Sequence, residues 1–156
     1  MTARVVNLTA AAVLLLSGAS ARAETPAAFC QRAGTDDTTR PIPETLVPEV
    51  NAAFGTDMPP RIAMDTTVFR CADRRVLVCT VGANLPCGKA DTSKNPNDGT
   101  IRWCADNPSA PSVPAFVTGH DTIYQWRCTS GTPQILHQAL HADPRGFLAE
   151  FWKRLR

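Results

Sequence analysis

Net charge is almost absent from this sequence: 156 residues carry 16 Lys and Arg against 14 Asp and Glu, a formal +2. So even a balance provides no clustered basic face, and nucleic acid is not expected as a partner. The C-x-x-C spacing is missing too, which removes the zinc-ribbon and thioredoxin-like readings. Beyond residue 23 there is no apolar run of the roughly 20 residues that a membrane span needs. Low-complexity tracts are absent, and 44 % apolar with 19 % charged residues is the composition of a folding chain. The length suits one domain rather than two independent cores.

What is present is six cysteines and thirteen prolines, the marks of a stapled, loop-rich globule. The first 23 residues read as an export signal. Arg4 supplies the positive start, residues 5–16 are apolar apart from Asn7 and Thr9, and Ala21-Arg22-Ala23 forms a small-residue cleavage site. No cysteine closely follows the apolar run and no twin-arginine pair occurs, so neither lipid anchoring nor folded export is expected. Arg4 and Arg22 leave with the signal, so residues 24–156 carry 14 cations and 14 acids. The expected product is a periplasmic or secreted single domain, residues 24–156, with no membrane span after cleavage.

Export decides how the cysteines are read. Cys30, Cys71, Cys79, Cys87, Cys104 and Cys128 form an even set, which in an oxidising compartment predicts three disulfides in one of fifteen connectivities. Their gaps of 41, 8, 8, 17 and 24 residues match no zinc-ligand spacing. No metal and no cofactor is expected.

Residues 66–71 and 75–81 are rich in β-branched and apolar side chains around a short polar break, which predicts a β-hairpin. A turn at Asp73-Arg74 sets Cys71 opposite Val76 and Cys79 opposite Val68. The two cysteines then point to opposite faces and must each staple the hairpin to a different neighbour. Residues 123–136 repeat the pattern: Phe69-Arg70-Cys71 matches Trp126-Arg127-Cys128, and an apolar strand follows in both. Asp143-Pro144-Arg145-Gly146 carries the preferences of a type I turn. It is expected to join residues 134–142 to residues 147–152 as antiparallel strands, strand being favoured over helix for residues 135–141. Helices look few. Pro48 and Gly55 bracket one, with Val50 and Phe54 on its inner face. Asp98 caps another reaching Asn107, with Ile101 and Cys104 turned inward. Residues 33–42, 89–99 and 108–114 read as ordered loops, and residues 24–29 as a fraying end. The fold class is all-β or α+β: a small antiparallel β-rich domain with one or two short helices and three disulfides.

Three constellations bear on chemistry. Residues 82–90 superficially resemble a phosphate loop, but five residues separate the glycines and Ala90 stands where a hydroxyl is needed. Residues 91–99 alternate oxygen ligands, yet Pro96 occupies the glycine position of a calcium loop and Arg102 the position of its final Glu. An Asx-rich surface turn is the preferred reading. His137 and His141 lie about 13 Å apart on a strand and cannot share a metal. Thr118-Gly119-His120-Asp121 places an imidazole beside a carboxylate on a glycine-containing loop. It reads first as a turn, with His120 and Asp121 as the catalytic candidates, although no activated nucleophile accompanies them. Arg70 and Arg127 face away from their cysteine neighbours and are expected on one exposed sheet face near Lys89 and Lys94. Guanidinium groups so held suit anionic glycans or carboxylates, while cross-strand pairing with Asp or Glu is the commoner use.

An export signal followed by an aromatic-x-Cys strand, short turn and apolar strand resembles the periplasmic inhibitors of c-type lysozyme, which are small β-barrel-like proteins. The likeness covers residues 66–78 and, less closely, residues 123–136. The other cysteines and residues 84–114 depart from that pattern, so no inhibitory residue carries over. The whole chain resembles the uncharacterised cysteine-rich exported proteins of Gram-negative bacteria, and that resemblance implies no function. The expectation is a periplasmic binding or inhibitory module whose partner is a periplasmic protein or glycan. The alternatives are a small envelope hydrolase using His120 and Asp121, and a structural envelope protein.

Overall fold

The computed structural model describes residues 23–82 and 86–156. The expected export signal up to Arg22 and residues 83–85 of the glycine loop lie outside the described residues. Six strands are present among the described residues: β1 (Asp36–Pro41), β2 (Thr67–Ala72), β3 (Arg75–Thr80), β4 (Tyr124–Thr129), β5 (Thr132–Gln138) and β6 (Lys153–Arg154). They form an antiparallel four-stranded sheet in the order β1-β2-β3-β6 and a two-stranded ribbon of β4 and β5. Five α-helices accompany them: α1 (Pro26–Ala33), α2 (Val47–Phe54), α3 (Pro60–Thr66), α4 (Asp98–Asp106) and α5 (Ala115–Thr118). The class is α+β, with more helices than the one or two expected.

The extra helices have a common origin. Four of the five begin on a proline: Pro26, Pro48 and Pro60 sit in the first turn and Pro114 at the N-cap. A fixed φ near −65° and a missing N–H cost nothing there. Thr25 caps α1 through Ala28 N at 3.2 Å, so the segment expected to fray is folded. In α4 the cap is Asn97 rather than Asp98. Thr100 and Cys104 are its buried residues, and Ile101, expected inside, is 47 % exposed. Residues 33–42, expected as loop, supply β1. Its polar Asp-Asp-Thr-Thr sequence is tolerated because it is an edge strand with two half-buried acids.

The first hairpin forms in the expected register, and the second has the same register around its cysteine. Val68 pairs with Cys79 and Cys71 with Val76, while Cys128 pairs with Pro133 at the same offset. Asp73 and Arg74 (φ 50° and 63°) close the first turn, Ser130 and Gly131 (φ 51° and 78°) the second. Two consecutive left-handed residues are the mark of a type I′ turn, whose twist matches that of the strands it joins. Cys71 bonds to Cys30 of α1, Cys79 to Cys87 and Cys104 of α4 to Cys128 of β4. The hairpin's two cysteines thus go to different neighbours.

The C-terminal expectation is corrected. The turn at Asp143 is made, with Gly146 N donating to Asp143 O at 2.8 Å, and Ala142 bridges Leu148. Residues 134–138 are strand, as expected, but within β5, which pairs with β4; residues 147–152 form no strand to pair with them. After Leu148 the chain makes a 3₁₀ turn (Ala149–Phe151), and β6 pairs with β3 instead, Leu77 opposite Arg154. The driving force is apolar burial: Phe147 and Trp152, 3 % and 6 % exposed, pack with Cys79, Val68 and Leu77 on the sheet. The opposite face of that sheet carries Phe69, Cys71, Val76 and Val78 against Cys30, Val50 and Ala63 of the helices. A third core joins Cys104 and Trp103 to Trp126 and Cys128 of the ribbon.

Candidate functional site

The two arginines expected on one exposed face are on different sheets, and of the two lysines only Lys89 lies near Arg70. Alternation along β2 does turn Arg70 away from Cys71, but the face it enters lies under Phe147 and Trp152, and the side chain is fully buried. Its guanidinium carbon lies 4.0 Å from the Phe147 ring centroid and 4.6 Å from that of Trp152. Nη2 donates to Asp143 Oδ2, and Nη1 lies 3.9 Å from Asp37 Oδ1. A buried cation is tolerable only with such compensation. Lys89 joins the cluster: Nζ donates to Asp37 Oδ2 at 3.0 Å and sits 3.8 Å from the Phe147 centroid. Arg145 Nη2 donates to the same carboxylate oxygen at 2.9 Å. The Arg145 hydrogen bonds, assisted by Lys89, outweigh partial desolvation and lower the Asp37 pKa to about 2. Arg127 stands exposed on the other sheet, with Gln134 Oε1 3.4 Å from Nη2, and Lys94 is exposed in the loop before α4. Arg70 and Lys89 are therefore parts of a structural ion cluster. Asp143 and Asp37, its anions, read in the sequence only as turn and loop residues.

The loop before α4 behaves as an Asx-rich turn. Asp91 Oδ1 accepts from Ser93 N at 2.8 Å, and Ser93 Oγ from Asn95 N at 3.1 Å. Among the described residues no group of three or more His, Cys, Asp or Glu side chains could hold a metal.

His120 has a different setting. It is half-buried in the wall of an open groove of about 510 Å³, whose other polar groups are Thr118, Thr122, Tyr124 and Gln125. Phe116, Phe151 and Leu140 supply the apolar part. Asp121 is exposed and does not line the groove, so the imidazole and the neighbouring carboxylate diverge. The one imidazole–carboxylate contact among the described residues is elsewhere, between His141 Nδ1 and Glu150 Oε1 at 2.9 Å on the exposed surface. Burial raises the Glu150 pKa, but hydrogen bonds from the His141 ring and the backbone overcome that and hold it low. The turn at Asp143 brings these two together across nine residues, a meeting that spacing alone did not show.

Several elements hold the groove in shape. Asn97 accepts from Thr100 N at 2.7 Å to cap α4, and its Nδ2 donates to the carbonyls of Val117 and Thr118 at 3.2 and 3.0 Å. One side chain thereby begins α4 and fixes the end of α5. Gly119 then turns the chain at φ 98°, where a Cβ would lie 2.8 Å from Asp121 Oδ1. Asp91 N donates to Asp121 O at 2.7 Å and Ile123 N to Asp91 O at 3.0 Å. Phe116 is 74 % exposed, buttressed by Trp103 edge-to-face at 6.0 Å. Sequence reasoning found His120 but missed Phe116, Tyr124 and Gln125. A four-residue helix is too short to show a periodicity that would mark Phe116 as outward-facing.

Comparison of this chain with family models, curated proteins and solved structures finds no match. Three disulfides, with no described helix long and apolar enough to cross a membrane, are consistent with an extracytoplasmic setting.

Proposed function

We propose that this chain is an exported, periplasmic binding or inhibitory module, and that it recognises its partner through the groove between α5 and the β4–β5 ribbon. The observation that carries the reading is Phe116: a large aromatic 74 % exposed at the edge of a concave, mostly uncharged site. Exposed aromatics beside a groove are the usual anchors of recognition, and the rigid backbone around this one keeps the cost of ordering low. A hydrolase reading has less support, because His120 has neither an orienting carboxylate nor an adjacent nucleophile in hydrogen-bond reach.

The test is capture from periplasmic extract on immobilised protein, residues 24–156, run in parallel with Phe116→Ala and with Ile62→Ala. Ile62 is 49 % exposed on α3 and so controls for general stickiness. A glycan or protein retained by the parent and by Ile62→Ala but lost by Phe116→Ala is the expected result. Equal retention by all three would remove the groove from the function.

A further inference from the structure

The geometry points to the class of ligand this groove takes: an uncharged oligosaccharide. The inference rests on the binding reading above and adds the chemistry of the occupant. None of the residues lining the groove is Asp, Glu, Lys or Arg. A phosphate or carboxylate would find no Lys or Arg there and an ammonium no carboxylate, so desolvating such a charge would go without a fixed ionic partner. The wall instead alternates two kinds of group. Phe116, Tyr124 and Phe151 offer ring surface, while Thr122, Gln125 and His120 offer hydrogen-bond donors and acceptors. Sugars present the same pair of surfaces, an apolar face of C–H groups and a rim of hydroxyls.

A peptide strand fits less well. β-Strand addition needs unpaired backbone groups at the site, and several of those beside the groove are already paired. Val113 N donates to Trp126 O at 2.8 Å, while Ala139 N and Leu140 N both donate to Ile123 O, at 2.8 and 3.2 Å. Side chains are what remains. Thr122 Oγ1 accepts from Tyr124 N at 3.3 Å, which leaves its hydroxyl proton to give. Among the described residues no protein partner engages the polar side-chain atoms of His120, Tyr124 or Gln125. The volume, about 510 Å³, falls within the roughly 300–1,000 Å³ of small-ligand sites.

The experiment is an NMR titration of residues 24–156 with two uncharged probes, the N-acetylglucosamine tetramer and maltotetraose, and with polygalacturonate as the charged comparison. Saturable amide shifts confined to residues 113–125 and 139–151 with at least one uncharged probe are expected. Phe116→Ala should weaken that binding about tenfold, as loss of one ring contact implies. Gln125→Ala should weaken it less, and Phe116→Trp should restore it. Tighter binding of polygalacturonate, or no localised shift with either uncharged probe, overturns the inference. If capture in the preceding experiment still depends on Phe116, the binding reading survives that failure; if capture is also lost from the groove, both fall.

Discussion

The two hairpins are nearly the same object placed in different surroundings. Each has an aromatic-Arg-Cys strand, a cysteine paired five residues ahead, and a turn with two left-handed residues. Phe69 and Trp126 are both buried, as are Cys71 and Cys128. The residue between them differs. Arg70 is fully buried with a carboxylate and two rings, whereas Arg127 stands in solvent beside a glutamine. The ribbon is covered on one face by α4, while the first hairpin has helices below and residues 143–152 above. Local sequence thus determines which side a residue faces, and distant chain determines whether that side is dry.

Paired substitutions sharpen the contrast. Arg70→Ala leaves Asp143 without its buried partner and opens a hole beside Phe147 and Trp152, so a loss of about 3–5 kcal/mol is expected in urea unfolding. Arg127→Ala should stay within about 0.5 kcal/mol. Equal losses would break the distinction. The turns differ by less. Arg74 holds φ 63° without being glycine, and Gly131 holds φ 78°, where a Cβ would lie in ordinary contact 3.8 Å from Cys104 O. Arg74→Gly should therefore stabilise and Gly131→Ala destabilise, each by about 1 kcal/mol in thermal unfolding.

Acid provides the gentlest comparison. The folded pKa of Asp37, about 2, lies below its ordinary 3.8, so the unfolded chain binds the proton more readily. Its stabilisation is present above pH 4 and is lost as pH falls through about 2. With partners partly in solvent, about 1 kcal/mol is at stake. The near-UV dichroism of the Trp152 environment should soften in that window before that of Trp126, and Asp37→Asn should abolish the difference. Simultaneous loss in the parent would show that the ion cluster does not hold the cover over the first hairpin.

Much of the local fold was legible because turns and alternation are local properties. Asp73-Arg74 fixed the register of β2 on β3, and Pro48 with Gly55 bounded α2. β1 was hidden because Asp36-Asp37-Thr38-Thr39 has no apolar face to announce a strand; its acids are there for Arg40, Lys89 and Arg145. The starts of α1 and α3 did carry a signal, Pro26 after Thr25 and Pro60 after Pro59, but each helix is too short for a periodicity to support it. For the groove, His120 was visible as a reactive residue type on a glycine turn. Phe116 and Gln125 were not, since their exposure depends on how α5 packs on α4.

The Asp37–Arg145 contact spans 108 residues, and that distance sets a timetable. Each hairpin closes over two residues, whereas the cover reaches Arg70 of β2 across 73 residues, a far costlier loop to close. Until it arrives, Arg70 stays hydrated and keeps one face of the sheet wet. The arginine and its cover therefore depend on each other: the cation can be dry only where the distant segment lies over it.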